Sequence, residues 1–284
     1  MHAYQVLDSH VHLLSARKAA ALRASGGPPR LSRPWDIPDL VADWPGPARA
    51  IVMDSDRPFP GENERLLDVA AAHPAVVAGV IGRLELARED FAERLARIER
   101  HPAGSRWRGP RLALRPDISE PWTPALVADR TAALGAGGRV LELLAPSDRL
   151  DEARLVAEAA QCAVVVDHLG CPPWLGPEAE WQAWEEGIAG LGSVAHVVTK
   201  LSDLPEPGGD ERIELRIGQA IALAHELFGD GRLMYASNWP WPPPAGTQQE
   251  PYARRRALEY AGRLSPAAAA AFFGGTAARV FMAW

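Results

Sequence analysis

Short apolar runs that end in polar residues recur along the whole chain. Side chains of a strand alternate between its two faces, and continuously apolar runs are typical of strands that are buried on both faces of a parallel sheet. The runs are Tyr4 to His10, Arg49 to Asp54, Ala75 to Gly82, Arg111 to Arg115, Gly138 to Leu144, Ala163 to His168, Val194 to Lys200 and Arg232 to Ser237. Their number and composition predict eight buried strands.

Segments with apolar residues at helical spacing separate these runs. Glu62 to Ala72, for example, carries Leu66, Leu67 and Val69 on one face of a helix. The others are Arg88 to Arg100, Pro124 to Leu134, Asp148 to Ala160, Glu178 to Leu191 and Glu211 to Phe228, with Pro266 to Trp284 as closing helices. Alternation of this kind over 284 residues predicts an α/β protein with one domain, residues 1–284, folded as a (β/α)8 TIM barrel.

Two connections are longer than the rest. Leu13 to Asp39 follows the first strand, and Asn238 to Pro251 follows the eighth. Barrels keep their active sites at the carboxyl ends of strands, and the first and eighth strands are neighbours in a closed barrel. We therefore expect the two loops to lie side by side, with Trp239 and Trp241 as flat walls for a substrate. Plain surface connections would explain both loops equally well.

The charge and composition of the chain indicate which kinds of molecule it is expected to bind. The net charge is −6, whereas nucleic acids and anionic membranes favour basic patches, so neither is expected as a partner. No apolar run reaches membrane-spanning length, and the first polar site at Asp8 leaves no room for a signal peptide. Cys162 and Cys171 form no disulfide or metal pattern, which favours the cytoplasm. A small-molecule substrate is expected, and the oligomeric state, including a homo-oligomer, stays open.

A histidine pair at the end of the first strand is the first candidate for chemistry. His10 and His12 are two residues apart and should project from the same face of the strand. Two such imidazoles can bind one metal ion or flank one substrate. The alternative is two polar residues where a strand becomes a loop.

Polar residues end the other strands as well, and in a barrel these ends converge on one mouth. They are Asp8, Asp54, Asp56, Arg111, Arg115, Glu142, Asp167, His168, Lys200, Ser202, Asp203, Ser237 and Asn238. The shared position predicts a common polar site.

Lysine occurs only at Lys18 and Lys200 in a chain rich in arginine. Lysine can lose its proton when it is buried, and arginine effectively cannot. Lys200 is predicted to lie in the barrel mouth, as a base, as a cation that orients a substrate, or as a structural lysine anchored to Asp167, Glu142 or Asp203. Lys18 is expected in a polar loop, where chance retention explains it.

Four ordered motifs give the chain a specific resemblance. They are Asp8-Ser9-His10-Val11-His12, Val166-Asp167-His168-Leu169-Gly170-Cys171-Pro172, Lys200-Leu201-Ser202 and Leu233-Met234-Tyr235-Ala236-Ser237-Asn238-Trp239-Pro240. Together they resemble the amidohydrolase superfamily, in the branch of predicted metal-dependent hydrolases related to sugar lactonases, 4-sulfomuconolactonase and 2-pyrone-4,6-dicarboxylate lactonase. The resemblance runs from the first strand to the C-terminus.

The resemblance implies roles for the matched residues. His10, His12 and His168 correspond to the histidines of the first and sixth strands, and Lys200 to a lysine on the seventh. Arg111 is similar to an arginine that contacts a substrate carboxylate in the pyrone lactonase type, a task suited to a planar guanidinium. Glu142 is a further candidate for substrate binding.

Two departures from the family pattern matter. Asn238 stands where the family usually has an aspartate that acts as general base, and an amide cannot take up a proton at ordinary pH. The strand-five histidine is also missing. His10, His12 and His168 could hold Zn²⁺ or another divalent metal with an open position, or the site could work without metal. With this reduced ligand set, we expect weak metal binding or none.

Three hypotheses follow. The first is a hydrolase, most simply a lactonase that opens a small carboxylated or sugar-derived lactone, with Lys200, Asp8 or His168 as base and Asn238 as a hydrogen-bonding group. The second is a lyase, decarboxylase or isomerase at the same site. The third is a binding protein that has lost catalysis. Fold alone does not choose among them.

Overall fold

Eight parallel strands form one sheet in sequence order in a computed structural model that describes residues 5–44, 48–55, 59–241 and 252–282. The strands are β1 (Val6–His12), β2 (Ala48–Met53), β3 (Val77–Gly82), β4 (Trp107–Ala113), β5 (Leu141–Leu144), β6 (Val164–Val166), β7 (Val197–Leu201) and β8 (Leu233–Tyr235). The predicted barrel is confirmed.

The residues just after β8 close the barrel against β1. Val11 pairs with Trp239 in parallel, and the His12 amide donates to the Trp239 carbonyl at 2.7 Å. The Asn238 amide also donates to the His10 carbonyl at 3.0 Å. The backbone around Asn238 is therefore fixed directly beside the histidine pair.

Helices alternate with the strands, and the predicted Glu62 to Ala72 helix has the same bounds in the structure. They are α1 (Ala16–Ala24), α2 (Ile37–Asp43), α3 (Glu62–Ala72), α4 (Phe91–Glu99), α5 (Pro124–Ala136), α6 (Leu150–Ala159), α7 (Glu178–Gly192), α8 (Glu211–Arg232), α9 (Tyr252–Ala261), α10 (Pro266–Ala270) and α11 (Thr276–Met282), with a π-helical turn over Ala271–Gly275. None of the helices in the described ranges is both long enough and apolar enough to span a membrane.

Helix α1 and the first residues of α2 lie inside the segment, Leu13 to Asp39, that we expected to be a loop. Their starts are set by capping: Ser15 accepts a hydrogen bond from the Lys18 amide, and Asp36 and Asp39 form a capping box. Both helices are short, so their apolar periodicity is weak in the sequence. The expected contact between the two long loops does form, because Trp35 packs edge-to-face on Trp239 at 5.3 Å between ring centroids.

The expectation for Lys18 was wrong. Helix α1 turns this side chain inward, where its Nζ lies 2.6 Å from Asp54 Oδ1 and 2.8 Å from Glu62 Oε1. Lys18 is 4% exposed. It therefore neutralises two buried carboxylates, one of them at the end of β2.

Strand β4 begins four residues earlier than predicted and ends before Arg115. Gly109 and Pro110 look like strand breakers in the sequence, yet both lie within β4. Arg115 instead lies beyond the strand, where its Nη2 is 3.2 Å from Asp117 Oδ2. Asp56, also expected at a strand end, lies outside the described residues.

The barrel interior has an apolar layer below a polar one. At β5, β6 and β7, including the residues that directly flank them, an apolar residue precedes a polar residue by two positions: Val140 and Glu142, Val165 and Asp167, Val198 and Lys200. The period-two alternation of a strand places both members of each pair on the inner face. Leu7, Ile51, Met234 and Phe281 of α11 complete the apolar layer. The polar residues therefore gather toward the carboxyl ends of the strands.

Substitution of Gly109 tests how β4 packs against the residue before β5. Its φ is +150°, and a Cβ built there would lie 1.9 Å from the Val140 carbonyl oxygen. We expect Gly109→Ala to lower the free energy of unfolding by roughly 2 kcal/mol or more, because backbone strain and a backbone clash combine. Urea unfolding measures this. Gly218→Ala on the exposed face of α8, where a Cβ meets nothing within 4 Å, should instead raise it by about 0.5–1 kcal/mol. Equal stability of Gly109→Ala and the parent would contradict this account of β4.

Candidate active site

Three histidines gather at the carboxyl end of the barrel. His10 Nε2 lies 3.0 Å from His12 Nε2, and the His10 and His168 ring centroids are 4.6 Å apart. His10 is fully buried, His168 is 7% exposed and His12 is half-buried. The sequence motifs from the first and sixth strands thus meet in one place, with His12 the most accessible of the three rings.

A left-handed turn after β6 presents His168. His168 and Leu169 have φ values of 53° and 54°, a conformation that costs energy for residues with a side chain. The His168 Nδ1 lies 2.7 Å from the Ser202 hydroxyl, which follows β7. This bond fixes the ring and leaves Nε2 as the nitrogen directed elsewhere. Burial lowers the pKa of His168, and the negative charge of Asp203 opposes the shift.

Asp167 lies at the centre of a buried ion network. Its Oδ2 accepts from Arg111 Nε at 2.8 Å and lies 2.7 Å from Arg111 Nη2. Its Oδ1 is 3.1 Å from Lys200 Nζ and 3.2 Å from His10 Nδ1. Burial alone would raise the pKa of Asp167, but Arg111 and Lys200 hold it well below its ordinary value. Asp167 therefore remains ionised at neutral pH.

Lys200 is surrounded by two carboxylates and an imidazole. Its Nζ donates to Glu142 Oε1 at 2.5 Å and lies 3.2 Å from His10 Nδ1, in addition to the Asp167 contact. Lys200 and Glu142 are both fully buried. With these contacts Lys200 holds its three neighbours in place, and its role as a base stays a prediction.

Burial shifts the pKa values of the groups around Lys200 in opposite directions. It raises the pKa of Glu142 to about 8, with Asp167 adding to the shift and Lys200 opposing it. It lowers the pKa of His10 well below its usual value, and the charge of Lys200 lowers it further. His10 is therefore a neutral imidazole near pH 7, with one ring nitrogen that carries a lone pair.

The residues expected to bind substrate fall in different environments. Arg111 uses its Nε and Nη2 on Asp167, and Glu142 lies beneath the mouth against Lys200. Trp239 is 4% exposed and its indole donates to Asp43 Oδ2 at 2.9 Å, so it joins the segment after β8 to the end of α2. Trp241 is 36% exposed. Their roles in binding stay predictions.

Asp203, predicted only as one of the polar residues at the strand ends, has a partner that the sequence did not indicate. It follows β7, is partly exposed, and accepts a hydrogen bond from Asn238 Nδ2 at 2.9 Å. Its φ of 55° and the φ of 58° at Asn238 are both left-handed. The available signal was the carboxylate directly after Lys200-Leu201-Ser202, but only the fold shows that it faces the strand-eight amide.

Asp8 has a structural setting. Its Oδ1 accepts from the Ser237 amide at 2.9 Å and from the His10 amide at 3.1 Å. Burial raises its pKa to about 6. The carboxyl group thus joins β1 to the end of β8 from a position without solvent exposure.

Among the described residues, His10, Asp167 and His168 form a group that could hold a metal, with ligand atoms within 4.8 Å of one another. The expected set was the three histidines, and His12 lies outside this group. Imidazole nitrogens and a carboxylate oxygen suit a divalent ion such as Zn²⁺. The donors fit the metal, but the same Asp167 oxygens already face Arg111 and Lys200.

The whole chain matches a known family. The family model described as amidohydrolase covers residues 7–282, so the chain belongs to the amidohydrolase family. This agrees with the motifs and with the barrel.

Curated relatives and solved structures agree with that assignment. The chain is 30% identical to an L-fucono-1,5-lactonase of Burkholderia multivorans, over 97% of this chain and 95% of that protein. It is 28% identical to an L-fucono-1,5-lactonase of Burkholderia ambifaria, over 73% of this chain and 69% of that protein. A crystal structure of an amidohydrolase from Burkholderia multivorans with bound zinc has a TM-score of 0.82 and 27% identity, covering 98% of this chain and 99% of that chain. A probable 2-pyrone-4,6-dicarboxylic acid hydrolase from Acinetobacter baumannii, at 16% identity, shares the fold, with a TM-score of 0.74 and coverage of 98% of this chain and 99% of that chain.

Glu142 should make stability depend on pH. Its pKa is raised from 4.5 to about 8, so between these values the native state holds a proton that the unfolded chain releases. The free energy of unfolding should therefore fall as pH rises through this window, by up to about 1.4 kcal/mol per pH unit. Thermal and urea unfolding between pH 5 and 9 should show that Glu142→Gln removes this contribution. Glu93→Gln, on the exposed face of α4, should keep the parental pH dependence. The same pH profile for Glu142→Gln and the parent would contradict the shift.

Proposed function

We propose that this amidohydrolase is a lactonase that opens the ring ester of a small sugar-derived lactone with water. The observation that carries the proposal is the near full-length relation to a protein named L-fucono-1,5-lactonase. The mouth geometry supports it, because ester hydrolysis needs polar donors near the carbonyl oxygen and a group that accepts the proton of water.

The setting of Arg111 supports an uncharged lactone over a carboxylated one. A guanidinium recognises a carboxylate best through two parallel N–H bonds. Arg111 already directs Nε and Nη2 at Asp167 Oδ2, at 2.8 and 2.7 Å. A substrate carboxylate would have to compete with this buried ion pair. Hydroxyl groups of a sugar lactone need no such exchange.

In this proposal the three imidazoles have different roles. His12 and His168 reach the mouth and act as hydrogen-bonding groups for the lactone carbonyl oxygen, whose negative charge grows as water attacks. His10 lies below them and supports His12 across 3.0 Å. Lys200 and Asp167 fix His10 from the other side through its Nδ1. Lys200 is thus a positioning residue.

A divalent metal would be held by His10, Asp167 and His168. Such an ion supplies Lewis acidity that polarises an ester carbonyl. We propose that it binds weakly here, because Lys200 Nζ lies 3.1 Å from Asp167 Oδ1 and 3.2 Å from His10 Nδ1 and already provides positive charge at these donors.

A lactone panel tests the function. We expect the purified protein to hydrolyse hydroxylated 1,5-lactones of sugar acids, with kcat/KM at least about tenfold above that for a pyrone dicarboxylate, a difference of about 1.4 kcal/mol in transition-state binding. A pH-stat assay with product analysis measures both rates. Turnover of the pyrone dicarboxylate alone would contradict the substrate class, and turnover of neither lactone would contradict the function.

The variant Lys200→Met tests whether Lys200 competes with a metal ion for Asp167 and His10. Removing the ammonium leaves Asp167 and Glu142 with less positive charge nearby, so zinc binding should become tighter while turnover falls. Isothermal titration with zinc and the kcat of each protein give the two readouts. Lys18→Met is the matched control, because Lys18 also contacts two buried carboxylates but lies outside the histidine cluster. It should destabilise the protein without changing zinc affinity at the mouth. Zinc binding to Lys200→Met that is no tighter than to the parent would contradict the competition.

A further inference from the structure

We propose that Asp203 is the catalytic base that takes a proton from the attacking water, and that Asn238 positions it. The assignment rests on the proposed lactonase function. It means that the carboxylate follows strand seven and the amide follows strand eight, in place of the strand-eight aspartate of the family pattern.

Solvent access separates Asp203 from the other carboxylates. A base that accepts a proton from water must be reachable by water. Asp8, Glu142 and Asp167 have no exposed surface, and Asp54 is 3% exposed. Asp203 is partly exposed. Of the strand-end carboxylates in the described ranges, it is the one that a water molecule in the mouth can contact.

The ion-pair partners of the other carboxylates also favour Asp203 as the base. Asp167 is neutralised by Arg111 and Lys200, and a carboxylate held by two cations is a weak proton acceptor. Asp54 is bound by Lys18 at 2.6 Å. Asp203 forms no ion pair among the residues that the structure describes, and its hydrogen bond there is with a neutral amide.

Asn238 holds Asp203 through one oxygen. Its Nδ2 donates to Asp203 Oδ1 at 2.9 Å, and no described residue donates a hydrogen bond to Oδ2. Asn238 is itself fixed at both backbone groups, since its amide donates to the His10 carbonyl at 3.0 Å and its carbonyl accepts from the Trp241 amide at 2.6 Å. One carboxylate oxygen is therefore oriented by the protein, and the other remains for water.

Backbone strain marks the same pair of residues. Asp203 and Asn238 have φ values of 55° and 58°, in the left-handed region that residues with a side chain seldom adopt. Asn and Asp tolerate it better than other such residues. Strained conformations concentrate at functional sites, where the surrounding structure holds them. Here the strain turns two side chains at adjacent strand ends toward each other.

Asp203 is also linked to the histidine cluster. Asn238 donates its Nδ2 to Asp203 Oδ1 at 2.9 Å and its backbone amide to the His10 carbonyl at 3.0 Å. The His168 ring is 4.6 Å from the His10 ring between centroids. The carboxylate thus belongs to the same mouth as the imidazoles that are proposed to bind the lactone carbonyl.

The step balances in atoms and charge. The water oxygen forms a bond to the lactone carbonyl carbon as Asp203 Oδ2 takes one water proton. The carbonyl π electrons move to the carbonyl oxygen. Collapse of the tetrahedral intermediate breaks the bond from that carbon to the ring oxygen, and the proton passes from Asp203 to the leaving oxygen. The product is the open hydroxy acid, and the carboxylate of Asp203 is restored.

An exchange of side chains tests the assignment. Asp203→Asn keeps the shape and an oxygen that can accept from Asn238, so it should fold with parental thermal stability. It should lower kcat on the hydrolysed lactone by about 10²- to 10⁴-fold, the usual contribution of a general base. The double variant Asp203→Asn with Asn238→Asp restores one carboxylate across the same bond and should recover at least about tenfold of that loss.

The pH profile separates a base from a structural residue. The parent should lose kcat/KM on the acid side of its pH profile, and Asp203→Asn should lack that limb. Asn238→Asp alone places two carboxylates together, so the limb should move to higher pH through repulsion of like charges. Asn238→Ala should lower kcat less than Asp203→Asn does.

The outcomes are distinguishable. In one outcome the parent hydrolyses lactones while Asp203→Asn keeps a kcat within about threefold of the parental value. That result would overturn the base assignment, because a general base contributes far more, and would leave the lactonase function standing. A double variant no faster than Asp203→Asn would overturn the exchange of roles. A parent that hydrolyses no lactone of the panel overturns the function and the assignment that rests on it.

Discussion

The arrangement of side chains in the barrel mouth depends on the negative charge of the Asp167 carboxylate. Arg111 and Lys200 extend into the barrel from different strands, and each contacts this one group. A buried cation that loses its partner costs several kcal/mol, because desolvation is no longer offset. The same carboxylate and Lys200 both contact His10 Nδ1 and fix the position of its ring. The orientation of the histidines therefore follows from charge compensation as much as from the strand geometry.

This polar layer is possible because the apolar layer below it is complete. Val140, Val165 and Val198 fill the barrel two residues before Glu142, Asp167 and Lys200, and Phe281 belongs to the same apolar cluster. Glu142, Asp167 and Lys200 have no exposed surface. Low polarity around the network strengthens each ionic contact and shifts the pKa values of Glu142 and His10 in opposite directions.

The departure at Asn238 changes how the site is interpreted. With the motif alone, an amide in place of a carboxylate suggests lost catalysis or another reaction. In the structure the amide binds a second carboxylate, Asp203, from the neighbouring strand end. A residue lost at one position of a barrel mouth can thus be replaced from another, because all strand ends open on the same space.

The sequence by itself determined the barrel, the meeting of His10, His12, His168 and Lys200, and the amidohydrolase resemblance, because strand periodicity and motif order are local properties of the chain. Helices α1 and α2 were missed because capping defines them more than apolar spacing does, and β4 was misplaced because Gly109 and Pro110 look like breakers. Only the tertiary structure decided which charges meet. Lys18 with Asp54, Lys200 with Glu142, and Asn238 with Asp203 lie 36, 58 and 35 residues apart, and through-space pairing leaves no periodic signal in a sequence.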